Sequence, residues 1–140
     1  MSVAAPESTS RMIPKLVHLA PVLIVDDVEA GVAFWVDRFG FASSNQVKGP
    51  DGKLVFASVD KDGVELMYQS KASVLADHPG NPADFDGRSV ALFITVADLD
   101  VVERAVAGAP VVKPRHQTFY GSTELYVREP GGNTVGFAEF

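Results

Sequence analysis

The chain contains no cysteine, which excludes disulfide scaffolds, thiolate zinc sites, iron–sulfur clusters and thiol nucleophiles together. Basic residues are few. Twelve Lys and Arg stand against eighteen Asp and Glu, a formal charge of −6, and a surface of that sign repels nucleic-acid phosphates and anionic lipid headgroups. No apolar run approaches the roughly 20 residues that cross a bilayer. The opening MSVAAPESTSRMIP has no apolar segment behind a basic start and does not read as a secretory signal. A Gly-Lys-Ser/Thr phosphate loop, a Gly-x-Gly-x-x-Gly turn and a Gly-x-Ser-x-Gly nucleophile elbow are all missing. The expectation is a cytoplasmic protein whose partner is a small molecule, with no nucleic acid and no membrane.

What is present fits one globular domain: 140 residues, 46 % hydrophobic and 21 % charged. Residues 1–14, small and polar, read as a disordered lead-in to a domain over 15–140. Leu16 to Val25 is an apolar run suited to a buried strand, with Pro21 demanding an edge or a bulge because it has no N–H to donate. The period then changes. Val28, Val32, Trp35 and Phe39 fall on one face of a helix that Asp26 and Asp27 cap and Gly40 ends. Strands over Phe41 to Lys48, Leu54 to Val59 and Val64 to Gln69 follow, separated by Gly-, Pro- and Asp-rich turns.

The order then repeats. After linker signals over 71–88, within which Ala72 to Ala76 fits one helical turn, Val90 to Val96 is again an apolar strand. Asp98 then opens a helix on Leu99, Val102 and Val106 that stops at Gly108. Strands fit Val111 to His116, Thr123 to Arg128 and Thr134 to Phe140. Asp27 matches Asp98, Val25 matches Val96 and Ala20 matches Ala91 at one constant offset. These are two copies of a βαβββ module, 15–70 and 89–140. The predicted fold class is α+β, with the tandem modules forming a curled mixed sheet around a shared cavity.

The stretch from Val22 to Trp35, ending Phe39-Gly40-Phe41, resembles the opening of the vicinal oxygen chelate superfamily, which includes glyoxalase I, extradiol dioxygenases and bleomycin-resistance proteins. The ending Tyr120-Gly121…Glu124 to Asn133 is similar to that superfamily's last hairpin, with Glu129 and Gly131 where two aspartates are usual, at a turn expected to face solvent. The resemblance implies four metal-ligand positions, which fall on Ala20, Glu65, Ala91 and Gly136. Only Glu65 has a lone pair to give, and one carboxylate holds a divalent ion weakly. The expectation is therefore a chain with no cofactor and no metal, most like the metal-free bleomycin-resistance branch. It would sequester an antibiotic or metabolite, and the resemblance also implies a homodimer. Whether it is an enzyme stays open, leaning against. The alternative is a metal-dependent glyoxalase-, isomerase- or dioxygenase-like enzyme with ligands displaced to His18, Glu65 and His116.

No catalytic residue is assigned. The candidate ligand-binding residues are Glu65, His18, Met67, Phe93, Tyr120, Glu124 and His116. Glu65 shares its strand face with Met67 and Gln69. It either orients a ligand or pairs with Arg88, Arg115 or water, because a carboxylate in an apolar cup needs a partner. His18 lies two residues before Ala20 on the same face. Phe56, Phe93 and Phe137, with Tyr68, Tyr120 and Tyr126, are rings suited to stacking on a planar ligand or facing a cation. Trp35 and Phe34 read as core, and His78 as a solvated loop residue without a role.

Overall fold

Asp27 is the start signal for the first helix, α1 (Val28–Phe39): its carboxylate accepts from the Ala30 N–H at 3.1 Å. Gly40 ends the helix, with its own N–H and that of Phe41 closing on the carbonyls of Val36 and Trp35. The computed structural model describes residues 13–15, 17–77 and 90–140. Around α1 the first module orders β1 (Val22–Val25), β2 (Ala42–Lys48), β3 (Leu54–Lys61) and β4 (Val64–Ser70) into a sheet of spatial order β1-β4-β3-β2. A seven-residue helix, α2 (Lys71–Asp77), follows where one helical turn was expected. The second module repeats the plan with β5 (Ala91–Thr95), α3 (Leu99–Ala105), β6 (Val111–Gln117), β7 (Thr123–Arg128) and β8 (Thr134–Glu139), in the order β5-β8-β7-β6. Asp98 caps α3 as Asp27 caps α1. The architecture is α+β, two mixed four-stranded sheets each with its helix, as the duplicated pattern predicts. No helix is long and apolar enough to cross a membrane among the described residues.

The first strand is shorter than the apolar run. It begins at Val22, on the edge of its sheet, and pairs in parallel with β4. Pro21 has no N–H, so it contributes only its carbonyl, which accepts from Met67 at 2.9 Å. The expected lead-in over 1–14 lies outside the described residues except at its last two positions. So do the linker beyond Asp77, His78 and Arg88.

Alternation along each strand sorts side chains between two faces. Leu66 and Tyr68, Leu125 and Val127, and Val135 and Phe137 turn toward the helices and join one core with Trp35, Phe34, Leu99 and Val102. That core is common to both modules, and the Phe39 and Phe137 rings stack across it at 5.4 Å. Arg38 adds a clasp, donating to the carbonyls of Ala105 and Ala107 at the end of α3. The opposite faces carry Glu65, Met67 and Gln69 on the first sheet, and Phe93, Glu124, Tyr126 and Gly136 on the second.

A buried polar chain also joins the modules. Trp35 Nε1 donates to the Tyr68 hydroxyl at 2.9 Å, and that hydroxyl donates to Glu129 Oε2 at 2.7 Å. Glu129 Oε1 accepts from the backbone and side-chain N–H groups of Asn133 at 2.7 and 2.8 Å. The turn expected to face solvent is thus interior: Glu129 is 2 % exposed and Asn133 fully buried. A glutamate reaches a methylene further than the usual aspartate, far enough to meet Tyr68. Gly131 makes the room, since a Cβ there would collide with Val25 and crowd Glu129 Oε1.

Candidate functional site

Two polar clusters stand on the faces turned away from the helices. The first is a pair. His18 Nε2 lies 2.6 Å from Glu65 Oε1, with the histidine half exposed and the carboxylate more sheltered. Met67, two residues along β4, is half-buried beside them, and Val22 is its register partner on β1. Arg115 was one of the anticipated partners of Glu65. It instead bridges Asp100 at 2.7 Å and Glu103 at 3.2 Å, and those carboxylates hold its guanidinium above its ordinary pKa.

The second cluster is built around Glu124, only 1 % exposed. Its Oε2 accepts from the Tyr120 hydroxyl at 2.5 Å and the Ser122 hydroxyl at 2.7 Å, and its Oε1 accepts from the Tyr126 hydroxyl at 2.9 Å. His116, its register partner on β6, places Nε2 4.0 Å from Oε1 and stacks its ring on Tyr126 at 6.1 Å. The carboxyl is held below its usual range, first by the Tyr120 hydrogen bond and then by those from Ser122 and Tyr126. The phenols move the other way. Burial and then Glu124 push Tyr126 up to about 12, and the bond to Glu124 raises Tyr120. Both therefore act as neutral O–H donors at neutral pH. Phe93 projects from β5 on this face, 52 % exposed, and Tyr120 is 50 % exposed on the turn before β7.

The sequence signal for this cluster is the alternation Tyr120-x-Ser122-x-Glu124-x-Tyr126, four polar hydroxyl or carboxyl groups at strict period two. Reading Glu124 and Tyr120 singly missed Ser122 and understated Tyr126. Of the anticipated rings, Tyr68 and Phe137 turn to the core. The anticipated residues thus fall into two groups, His18, Glu65 and Met67 on one sheet, and His116, Tyr120, Glu124 and Phe93 on the other. A displaced metal triad of His18, Glu65 and His116 does not assemble within one chain, and no three His, Asp or Glu side chains gather to hold an ion among the described residues.

The positions that the fold would use for a metal do not fit one. Ala20 and Ala91 offer methyl groups. Gly136 lies beneath the Tyr126 ring, so closely that a Cβ there would strike it. The fourth position is therefore filled by an aromatic side chain from the neighbouring strand, and Glu65 is left facing His18. A cavity of about 460 Å³ lies elsewhere, between α1 and the second module, lined by Phe39, Phe41, Ile94, Val101, Val102 and Phe137 among others. Of the anticipated rings Phe137 reaches it, and none of the seven candidate ligand-binding residues does.

Paired βαβββ modules with an open face on each sheet define a class of folds before they define a protein. The profile of the Glyoxalase/Bleomycin resistance protein/Dioxygenase superfamily matches residues 15–137, and the chain belongs to that superfamily. It is 31 % identical over 118 residues to uncharacterised proteins of Mycobacterium bovis and Mycobacterium tuberculosis, a match covering 82 % of this chain and 78 % and 69 % of theirs. Among solved structures it is similar to lactoylglutathione lyase from Agrobacterium tumefaciens, with TM-score 0.65, 25 % identity and coverage of 90 % of this chain and 95 % of that one. It is also similar to TioX from Micromonospora sp. ML1, with TM-score 0.68, 21 % identity and coverage of 88 % and 98 %.

Proposed function

We propose that this protein is a small-molecule binding protein of the superfamily's metal-free, bleomycin-resistance type, which sequesters an antibiotic or metabolite without turnover. The observation that carries this reading is the Tyr126 ring lying over Gly136, together with methyl groups at Ala20 and Ala91. Three of the four coordination positions are thereby replaced by apolar surface. That surface is instead suited to organic contact, with the rings of Phe93, Tyr120 and Tyr126 on one sheet and Met67 and Val22 on the other.

Sequestration needs a cup that excludes water, and each sheet offers half of one. Among the described residues, the side-chain contacts between modules run through the helix-covered faces, and none of these contacts covers the site faces. Phe93, Val22, Tyr120 and Phe140 are large apolar or aromatic residues exposed by 44–69 %. A homodimer that sets the His18–Glu65 face of one protomer against the Glu124 face of its partner would close both halves. Sedimentation should then show a dimer.

Binding itself is tested by equilibrium dialysis against a library of planar and cationic compounds, with mass spectrometry of what is retained. Retention of a compound recovered unchanged supports the reading. Recovery of a chemically altered compound, or retention that requires an added divalent metal, would overturn it in favour of a metal-dependent enzyme.

A further inference from the structure

His116 and Glu124 face each other in register, yet they do not bond directly. Nε2 and Oε1 are 4.0 Å apart, beyond hydrogen-bond range. On its other side the His116 ring places Nδ1 2.8 Å from the carbonyl oxygen of Pro114. A carbonyl oxygen only accepts, so the neutral ring carries its proton on Nδ1 and presents a lone pair at Nε2. Glu124 Oε1 takes one hydrogen bond, from Tyr126, where Oε2 takes two. A carboxylate oxygen has room for two acceptor contacts, so with the ring neutral Nε2 and Oε1 are two acceptors with no hydrogen between them. One atom bearing two hydrogens, placed about 2.8 Å from each, would satisfy both.

The surroundings say which atom. Glu124 brings a negative charge, and among the described residues no lysine or arginine pairs with it. The Tyr126 ring stacked on His116 sets an aromatic wall beside the carboxylate, and aromatic rings attract cations. The carboxylate is almost wholly screened from water, which strengthens its attraction for a charge brought alongside. We propose that His116 Nε2 and Glu124 Oε1 form a receptor for a protonated primary or secondary amine, walled by Tyr126 and covered by Tyr120. The amine donates one N–H to each acceptor. Tyr120, half exposed on the turn before β7, is the cover that shifts to admit it. This assignment rests on the reading of the protein as a binder, and it narrows the ligand to one carrying an N–H cation.

The test is calorimetric titration of the wild-type protein with three probes of one shape: 2-phenylethylammonium, its N,N,N-trimethyl analogue and neutral 2-phenylethanol. The primary ammonium should bind at least about tenfold more tightly than either of the others, because only it supplies charge and two N–H donors together. In His116→Phe, which keeps a ring on Tyr126 and removes Nε2, the preference over the trimethyl analogue should shrink markedly while that over the alcohol, which rests on the Glu124 charge, persists and the melting transition is retained. Equal binding of the trimethyl probe would overturn the two-donor bridge. Equal binding of the alcohol would remove the role of charge while leaving small-molecule binding in place. Binding of none of the three would overturn the receptor outright, whatever the dialysis library shows. The three wild-type titrations decide the matter even where His116→Phe fails to fold.

Discussion

The hydroxyl of Tyr68 on β4 donates to Oε2 of Glu129, 61 residues away in the second module, at 2.7 Å. It receives the indole N–H of Trp35 on the way. Burial, and then the Glu129 carboxylate, raise the Tyr68 phenol well above its ordinary range, so it remains a donor. The bond ties the two modules through their shared core and fixes how their open faces are disposed. Removing it with Tyr68→Phe strands both the Trp35 N–H and a Glu129 oxygen in the interior. The expected loss is about 1–3 kcal/mol, the cost of leaving buried partners unmatched, read as a lower denaturant midpoint. A double-mutant cycle with Glu129→Gln should show strong coupling. Additive effects would mean that the two residues act independently.

Gly136 and Tyr126 make a second, steric prediction. Gly136→Ala should destabilise the fold by about 1–3 kcal/mol, as overpacking does, because the new methyl meets the Tyr126 ring. Combining it with Tyr126→Ala should recover part of that loss beyond additivity. If Gly136→Ala melted like the wild type, the ring would not be filling the position.

Proton equilibria separate the folded from the unfolded chain at both ends of the pH scale. Tyr126 is pushed up to about 12 from an ordinary 10.0. Its neutral form is thus favoured by folding, a contribution complete below pH 10 and lost as pH rises toward 12. All three tyrosines are raised, so phenolate absorbance should show no titration step at the ordinary value until the protein unfolds. Glu124 runs the opposite way. Its lowered value favours the ionised form, so its contribution is present above the usual 4.5 and is lost as pH falls through the lower folded value. Glu124→Gln should therefore flatten the acid limb of the stability profile and also weaken the alkaline limb, because Glu124 is the first cause of the raised Tyr120 and the second of the raised Tyr126.

The duplication was legible because it rests on period and caps. Asp27 and Asp98 cap matching helices, and helical spacing gives way to alternation in the same order twice. The coordination positions were legible as losses, since Ala20, Ala91 and Gly136 have no donor atoms. Hidden from the sequence were the partners. Nothing in the chain's order says that His18 reaches Glu65, 47 residues on, or that Glu129 turns inward to Tyr68. Turn residues are polar whether they face water or a neighbouring module, so composition alone placed Glu129 outside. The Gly131 next to it had a steric meaning that appears only when Val25 is seen packed against that turn. The alternation from Tyr120 to Tyr126 was written in the sequence and has a purely local cause. Strand period two puts Glu124 and Tyr126 on one side of β7, and the turn before it, with Gly121 in the left-handed region, brings Tyr120 and Ser122 to the same carboxylate.

The proposed function has this cup take its ligand without a metal, and calorimetry of chelator-stripped protein against divalent zinc, nickel, manganese, iron and magnesium checks that at the bench. A metal bound only by the folded state at 100 times its dissociation constant would add about 2.7 kcal/mol of stability, so a parallel melting experiment gives an independent reading. No saturable heat and no shift in the melting transition is the predicted result for every ion. A one-to-one isotherm for any of them, abolished by Glu65→Gln or by removing His18, would contradict it and return the protein to the metal-dependent branch of its superfamily.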